Sequence, residues 1–332
     1  MNRNFQNNHW LWYGLLAVLA CLPVFPHVVG NTFTGHVLIT ILLYASMSQA
    51  WNILGGYCGQ VSFGHSVFFG IGAYGAGIAV VTCHSTPYFG ALLGSLAAAV
   101  VAVIIAYPCF RLKGHYFAIA TFAIVEIFNR LFMVWDKVGG ALGLDYPILP
   151  DGWRNFSWSS DKTGYYYGAL VLFILVFSVV RWFERRRFGF YLQAVREGQE
   201  TAESLGVNAT AVKLQAMALS AFLAGLCGAF FVEYNFRVDP PMVMSLDMSM
   251  NFVLITVLGG VGTFMGPLLG AILLIPLREY TRAYLSHLGG GVDLIIFGLL
   301  IVLVMVKQPG GIMAILRSLG LGGRERSLKE VR

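Results

Sequence analysis

Residues 88–110 read YFGALLGSLAAAVVAVIIAYPCF and contain no charged side chain. A helix needs about 20 mainly apolar residues to cross the hydrocarbon core of a bilayer, so this stretch is long enough to span a membrane. Over the 332-residue chain, apolar residues make up 57% and charged residues 11%, whereas soluble domains carry about 25% charged residues. The sequence therefore predicts an all-α polytopic membrane protein and excludes a soluble enzyme, a disordered chain and a nucleic-acid-binding protein.

Further apolar segments bring the prediction to about ten transmembrane helices, some of them short or broken. The eighth and ninth are the shortest and flank the sequence LGGVG at 258–262. One broken helix over 248–277 is therefore the alternative to two spans. The predicted spans are 11–29, 36–54, 61–82, 88–110, 116–134, 165–182, 214–233, 248–261, 264–277 and 292–306.

Lysine and arginine are concentrated in the loop at about 184–213 and in the tail at 313–332. Positively charged loops stay in the cytoplasm, so the number of crossings between these two segments must be even. Ten spans with both termini in the cytoplasm satisfy this condition, and the polar loop at about 135–164 then lies outside. The predicted organisation is a membrane domain over 1–312 followed by a basic cytoplasmic tail.

Motifs for catalysis or nucleotide binding are absent from the sequence. There is no GxxxxGK[ST] motif, and no two of the seven histidines share the helical spacing of metal ligands. We therefore expect no catalytic residue, no metal site and no cofactor on this chain. Charges inside the predicted spans are sparse, and Glu126 and Arg130, four residues apart on one helix, are expected to pair with each other.

A glycine-rich stretch, LGGYCGQVSFGHSVFFGIGAY at 54–74, begins at the predicted cytoplasmic end of a span, and LGGVGTFMGP at 258–267 begins in the same way. Paired interruptions of this kind point to a substrate pathway. The alternative is helix packing with hydrogen bonds between the helices. The candidate pathway residues are Gln60, Ser62, His65, Ser66, Tyr74, Gly259, Gly260 and Gly262.

The basic loop contains FGFYLQAVREGQETAESLGVNATAVK at 188–213. Its apolar residues Leu192, Val195, Ala202 and Leu205 recur near one helical face, which predicts a short amphipathic cytoplasmic helix over about 192–206. The alternative is an interfacial helix on lipid headgroups. Because its acids would be repelled by anionic lipid, a protein partner is favoured. The residues assigned to such a contact are Arg196, Glu197, Glu200, Ala202, Glu203 and Gly206.

The segment REGQETAESLGVN at 196–208 resembles the coupling loop of ABC importer permeases. With the stretch at 54–74, RLKGHYFAIATFA at 111–123, VLGGVGTFMGP at 257–267 and GLLIVLVMVKQPGG at 298–311, the chain is similar to branched-chain amino acid permeases of the LivM type. The resemblance makes 1–312 a transmembrane permease domain in a bacterial inner membrane. It implies that the loop docks into a partner that binds ATP.

The same resemblance implies four kinds of contact. These are a second homologous permease subunit, two cytoplasmic ATP-binding subunits, a periplasmic or lipid-anchored solute-binding protein, and membrane lipid. The expected function is the permease subunit of an ATP-driven importer for branched-chain or other hydrophobic amino acids. The alternatives are the same architecture importing urea or short amides, or a stand-alone secondary transporter that uses Glu126 and Arg130 or the Ser62 and His65 cluster.

Overall fold

The computed structural model describes residues 32–112, 114–147, 149–158, 162–285, 298–299 and 311–318. The predicted first span, nearly all of the last span and most of the basic tail lie outside these residues, so both of those spans stay predictions. The orientation of the two termini also stays a prediction.

The described residues are almost entirely helical. The helix α1 (Thr32–Asn52) continues into a π-helical turn, Ile53–Tyr57. The other elements, in chain order, are α2 (His65–Cys83), α3 (Pro87–Cys109), α4 (His115–Val134), β1 (Leu144–Asp145), α5 (Thr163–Glu184), α6 (Arg187–Glu197), α7 (Gln199–Ser204), α8 (Ala209–Asn235), β2 (Arg237–Val238), α9 (Pro240–Val243), α10 (Leu246–Gly259), α11 (Gly266–Leu285) and α12 (Gly311–Ser318).

Seven helical segments among the described residues are long and apolar enough to cross a membrane. This confirms the predicted class, an all-α polytopic membrane protein. The seven segments are Phe33–Tyr57, His65–Cys83, Pro87–Cys109, His115–Val134, Thr163–Glu184, Ala209–Asn235 and Pro240–Gly259.

The third predicted span, 61–82, begins too early. The helix starts only at His65, and residues 58–64 are not helical. Gly59 has a φ of +74° and lies in this connecting segment, after the π-helical turn that ends at Tyr57. By contrast, α8 is longer than predicted because the Asn208 side chain accepts a hydrogen bond from the backbone N–H of Ala211 at 3.0 Å and caps its N-terminus.

The region 248–277 contains two helices, so the alternative of one broken helix is wrong. A Cβ atom built on Gly270 would meet the carbonyl oxygen of Ile255, and one on Gly259 would meet that of Gly266. These pairs show that α10 and α11 fold back on each other as an antiparallel hairpin. The helix α11 also continues to Leu285, well past the predicted end at 277.

The helix α1 is central, because 83% of its apolar stretch is buried inside the protein. Only 28% of the apolar stretch of α4 is buried. Beside α1, the helices α2, α3 and α8 pack through small residues. A Cβ atom on Gly72 would overlap the carbonyl oxygen and Cα of Gly225. Small residues let membrane helices approach this closely, so Gly72 has a packing role.

The substitution Gly72→Val is expected to lower the free energy of unfolding by about 3 kcal/mol, because the new side chain meets the backbone of α8 instead of a side chain that can move. Thermal unfolding in detergent measures the effect. The matched control is Ala97→Val, which makes a similar addition at an exposed position of α3. Equal stability of the two variants would contradict the close approach of α2 and α8.

The segment after α4, predicted as a polar external loop, is partly folded. It forms two 3₁₀ turns, Asp136–Val138 and Gly140–Leu142, and then β1. The strand β1 pairs antiparallel with β2, with Leu144 opposite Val238 and Asp145 opposite Arg237. This pairing ties the loop to the end of α8.

Candidate functional site

The basic loop folds as two helices and not as the single helix predicted over 192–206. The helix α6 ends at Glu197 and α7 begins at Gln199, with Gly198 extended between them. Glycine is among the weakest helix formers, and its position here coincides with the break. The carbonyl of Gly198 still accepts a hydrogen bond from the backbone N–H of Ala202 at 3.0 Å.

Three of the four apolar residues of the predicted face are buried, namely Leu192, Val195 and Ala202. The fourth, Leu205, is 81% exposed, so its placement on that face was wrong. The reason is local: α7 ends at Ser204, and Gly206 has a φ of +85°. This turn directs Leu205 away from the protein.

The exposed side of the loop combines acids with one large apolar side chain. We call it the docking surface, and it consists of Glu197, Glu200, Glu203, Leu205 and Gly206, all of which are exposed. An isolated apolar side chain surrounded by acids is poorly matched to an anionic membrane surface. The surface is matched to a protein partner with an apolar pocket and basic neighbours.

Arg196 connects this loop to the helix bundle. Its Nη1 atom donates a hydrogen bond to the carbonyl oxygen of Gly56 at 2.8 Å. Its aliphatic part covers Gly59, where an added Cβ atom would lie 3.0 Å from Cγ of Arg196. The connection therefore reaches the glycine-rich end of α1 across 140 residues of sequence.

Asn52 joins the two glycine-rich interruptions. Its Oδ1 atom accepts a hydrogen bond from the backbone N–H of Gly262 at 2.8 Å, and its Nδ2 atom donates to the carbonyl of Thr263 at 3.0 Å. A Cβ atom on Gly56 would lie 2.6 Å from the nitrogen of Gly262. The two LGG segments therefore meet, and we call Asn52, Gly56, Arg196 and Gly262 the coupling junction.

A second connection ties α7 to α8. The Nζ atom of Lys213 donates a hydrogen bond to Oε1 of Gln199 at 2.6 Å, and Nε2 of Gln199 donates to Oε1 of Glu203 at 3.0 Å. Lys213 is buried and also lies over the ring of Phe110 at 5.8 Å. Both loop helices are thus fixed to the bundle, while the docking surface stays exposed.

The polar candidates near the start of α2 are buried and bonded to other helices. His65 Nε2 lies 2.8 Å from Oγ of Ser220, which donates to the carbonyl of Ala50 at 2.6 Å. The Oγ atom of Ser249 accepts from the backbone N–H of Ser66 and donates to its Oγ, both at 3.0 Å. These contacts are helix-to-helix bonds, and a role in the pathway stays a prediction.

Ser62 lies beside this cluster, because Trp51, which bonds it, also packs against the ring of His65 at 6.5 Å, whereas Gln60 and Tyr74 make other contacts. The carbonyl of Ser62 accepts a hydrogen bond from Nε1 of Trp51 at 2.6 Å. Gln60 is half-buried beside Gly59, and its backbone N–H donates to the carbonyl of Leu54. The ring of Tyr74 packs against Phe132 at 5.0 Å.

Of the glycine candidates, Gly262 belongs to the coupling junction, whereas Gly259 and Gly260 end α10 beside α11. The structure therefore brings Ser62, His65 and Ser66 together near the start of α2, places Gly262 at the coupling junction, and leaves a pathway role for these residues a prediction.

The expected pair of Glu126 and Arg130 is confirmed, with Nε of Arg130 2.6 Å from Oε1 of Glu126. The Arg130 side chain is 73% exposed and that of Glu126 57% exposed. Their helix, α4, buries the stripe Phe117, Thr121 and Val125 and leaves the pair on an outer face. Within this chain, the pair is thus on the surface.

Sequence reasoning missed Asn52, Ser220 and Ser249, which make the bonds described above. Each is a polar residue within a mainly apolar span, and such residues commonly join membrane helices by hydrogen bonds. That signal was available in the sequence. Their partners were not predictable, since the bond from Ser249 to Ser66 spans 183 residues.

The apolar helices define a multi-pass membrane protein, and one end of its helix bundle carries the docking surface and the coupling junction. Residues 33–305 match the family model described as "Branched-chain amino acid transport system / permease component". The chain belongs to this family. It is therefore a transport subunit of the permease class and not an enzyme.

Curated relatives agree with this assignment. The chain is 28% identical to the high-affinity branched-chain amino acid transport system permease protein LivM of Escherichia coli, over 91% of the chain and 75% of that protein. It has the same identity and coverage with LivM of Salmonella typhimurium. With the corresponding LivH of Escherichia coli it is 24% identical, over 81% of the chain and 91% of that protein. No solved structure matches the chain.

Proposed function

We propose that this chain is the membrane-spanning subunit of an ATP-driven importer for branched-chain or other hydrophobic amino acids in a bacterial inner membrane. Family membership and the printed functions of LivM and LivH support the substrate class. In this proposal both termini lie in the cytoplasm, and the end of the bundle that carries the docking surface faces the ATPases.

The observation that carries the coupling role is the hydrogen bond from Arg196 to Gly56, at 2.8 Å. It links the loop that bears the docking surface to the point where α1 ends, and Asn52 extends the link to the α10–α11 hairpin. When ATP closes two partner ATPases, the docking surface is displaced. Because α6 and the junction are bonded together, the displacement reaches three membrane helices.

The proposed complex contains two cytoplasmic ATP-binding subunits, which bind the ATP, an external solute-binding protein, membrane lipid and a second homologous permease. The outer face of α4 supports the presence of the second permease. Charged side chains are costly when they face hydrocarbon, yet Glu126 and Arg130 are exposed on this chain. A second permease against α4 would remove the pair from lipid.

Uptake of labelled leucine into proteoliposomes tests this function. The vesicles hold the purified complex, with ATP inside and the solute-binding protein outside, and unlabelled isoleucine, valine and urea compete in parallel runs. We expect ATP-dependent uptake that isoleucine and valine block and that urea does not. Vesicles without ATP provide the control.

Two outcomes would contradict the proposal in different ways. Leucine uptake that persists without ATP would indicate a secondary transporter. Absence of leucine uptake by a complex whose ATPase activity responds to urea or a short amide would keep the architecture and change the substrate.

A further inference from the structure

A cavity of about 390 Å³ lies between α1, α8, α10 and α11. It is at the end of the helix bundle that carries the β1–β2 pair, which is the predicted external end and is opposite the coupling junction. Its volume falls within the range of about 300–1,000 Å³ that is usual for small-molecule sites. It belongs to neither the docking surface nor the candidate pathway cluster around His65.

Charged side chains of both signs line this cavity. The helix α11 contributes Arg278, Glu279 and Arg282, and α10 contributes Asp247. Arg278 and Arg282 are four residues apart and therefore lie on the same face of α11. The two positive and two negative charges sum to zero, so the cavity suits a ligand that carries both signs without net charge.

The position of these charges is unusual for a packing role. At 1.5 Å per residue, Arg278 lies about 18 Å along α11 from its start at Gly266, and it is half-buried beside the cavity. Charged side chains that converge on a cavity with apolar walls are typical of a small-molecule site. The predicted span ends at 277, whereas the helix continues through all three charged residues to Leu285.

The rest of the lining is suited to an apolar side chain. Ile39 and Leu43 from α1, Phe231 from α8 and Met248 from α10 form apolar walls. Small-molecule sites combine such walls with a few polar groups that fix the orientation of the ligand. Tyr44 lines the cavity as well, and its hydroxyl group donates a hydrogen bond to the sulfur of Met248 at 3.3 Å.

We propose that this cavity binds a zwitterionic amino acid with an apolar side chain on its way into the membrane domain. The α-carboxylate contacts the guanidinium groups of Arg278 and Arg282, which match a carboxylate in charge and geometry. The α-ammonium group contacts the carboxylate of Asp247, and the side chain faces Ile39 and Leu43. The inference rests on the proposed import function, and it gives the permease a selectivity of its own against uncharged urea.

The first test is a cysteine placed in the cavity. The variant Asn251→Cys is labelled with a membrane-impermeant methanethiosulfonate in the reconstituted complex without ATP, and modification of residue 251 is followed by peptide mass spectrometry. We expect millimolar leucine to slow labelling about 10-fold and urea to leave it unchanged. Equal labelling with and without leucine, or equal protection by leucine and urea, would overturn the site.

The native cysteines make this measurement interpretable. Cys83 is exposed at the same end of the bundle and provides an internal reference that leucine should not protect. Cys58 is buried, and burial raises the pKa of its thiol to about 12, so it stays protonated and unreactive.

The second test removes the proposed ligand contacts. Arg278→Gln and Asp247→Asn should each abolish leucine protection of the cysteine at 251 and reduce leucine uptake about 10- to 100-fold, with the ATPases still bound. The matched control is Arg154→Gln, an exposed arginine in the external segment. Full uptake by Arg278→Gln in a complex whose unaltered form imports leucine would overturn the site alone, whereas no uptake by the unaltered complex would overturn the import function. Labelling decides the site independently of ATP.

Discussion

The substitution Leu205→Glu is expected to abolish copurification of the ATP-binding subunits and to lower ATP-driven leucine uptake at least about 30-fold. Leu205 is 81% exposed, directly after the end of α7, and belongs to the docking surface. Apolar side chains that enter a pocket of a partner contribute about 2 kcal/mol or more to binding. Glutamate adds a charge to a surface that already carries Glu197, Glu200 and Glu203.

The control for this variant is Leu142→Glu. Leu142 is also 81% exposed, but it lies in the predicted external segment at the opposite end of the bundle. Both variants make the same chemical change, so they share any general effect on insertion into the membrane. If Leu205→Glu keeps the ATPases bound and imports at the control rate, the docking surface does not bind them.

The substitution Arg196→Gln is expected to leave the complex assembled but to lower leucine uptake about 10- to 100-fold, with ATP hydrolysis continuing. The reason is that Arg196 holds the loop to Gly56 by one hydrogen bond from a charged donor. Such bonds contribute about 1.5–3 kcal/mol. The measurement is the ratio of leucine imported to ATP hydrolysed in proteoliposomes.

Two companion variants isolate the role of this bond. Arg186→Gln removes the same charge from the same loop, but the guanidinium group of Arg186 lies over the ring of Trp182 and not at the junction. It should keep a normal ratio. Arg196→Lys retains one charged donor and should recover part of the activity. A normal ratio in Arg196→Gln would show that the junction does not transmit the motion.

The two main variants therefore separate binding of the ATPases from transmission of their motion. In the proposed complex, Leu205 contacts the partner and not the junction, whereas Arg196 is bonded to Gly56 within the junction. A chain in which the loop simply rests on lipid would show neither loss of the ATPases nor a change in the transport ratio. That contrast also distinguishes the proposed importer from a stand-alone transporter.

Much of the fold was predictable because membrane helices depend on local hydropathy. The predicted spans at 88–110, 116–134 and 165–182 agree with the helices within two residues at each end. Helix ends were less predictable where backbone geometry or a cap decides them. Examples are the late start of α2 after Gly59 and the extension of α8 back to its cap, Asn208.

In the loop that contains α6 and α7, helical periodicity alone does not predict which side chains are buried. Periodicity placed Leu192, Val195 and Ala202 correctly on a buried face. It also placed Leu205 there, because a helical wheel assumes that the helix continues through the residue. The break at Gly198 and the turn at Gly206 are short-range events, yet their effect on exposure depends on what the loop packs against.

The sequence by itself determined the class of protein, most of the membrane helices, the position of the basic loop in the chain and the family. These properties depend on composition and on residues close together in the chain. Only the tertiary structure decided that Arg196 meets Gly56, that Asn52 joins Gly262, and that Arg278 and Asp247 line one cavity. The physical reason is that these contacts join residues tens to hundreds of positions apart, and helix packing alone brings them together.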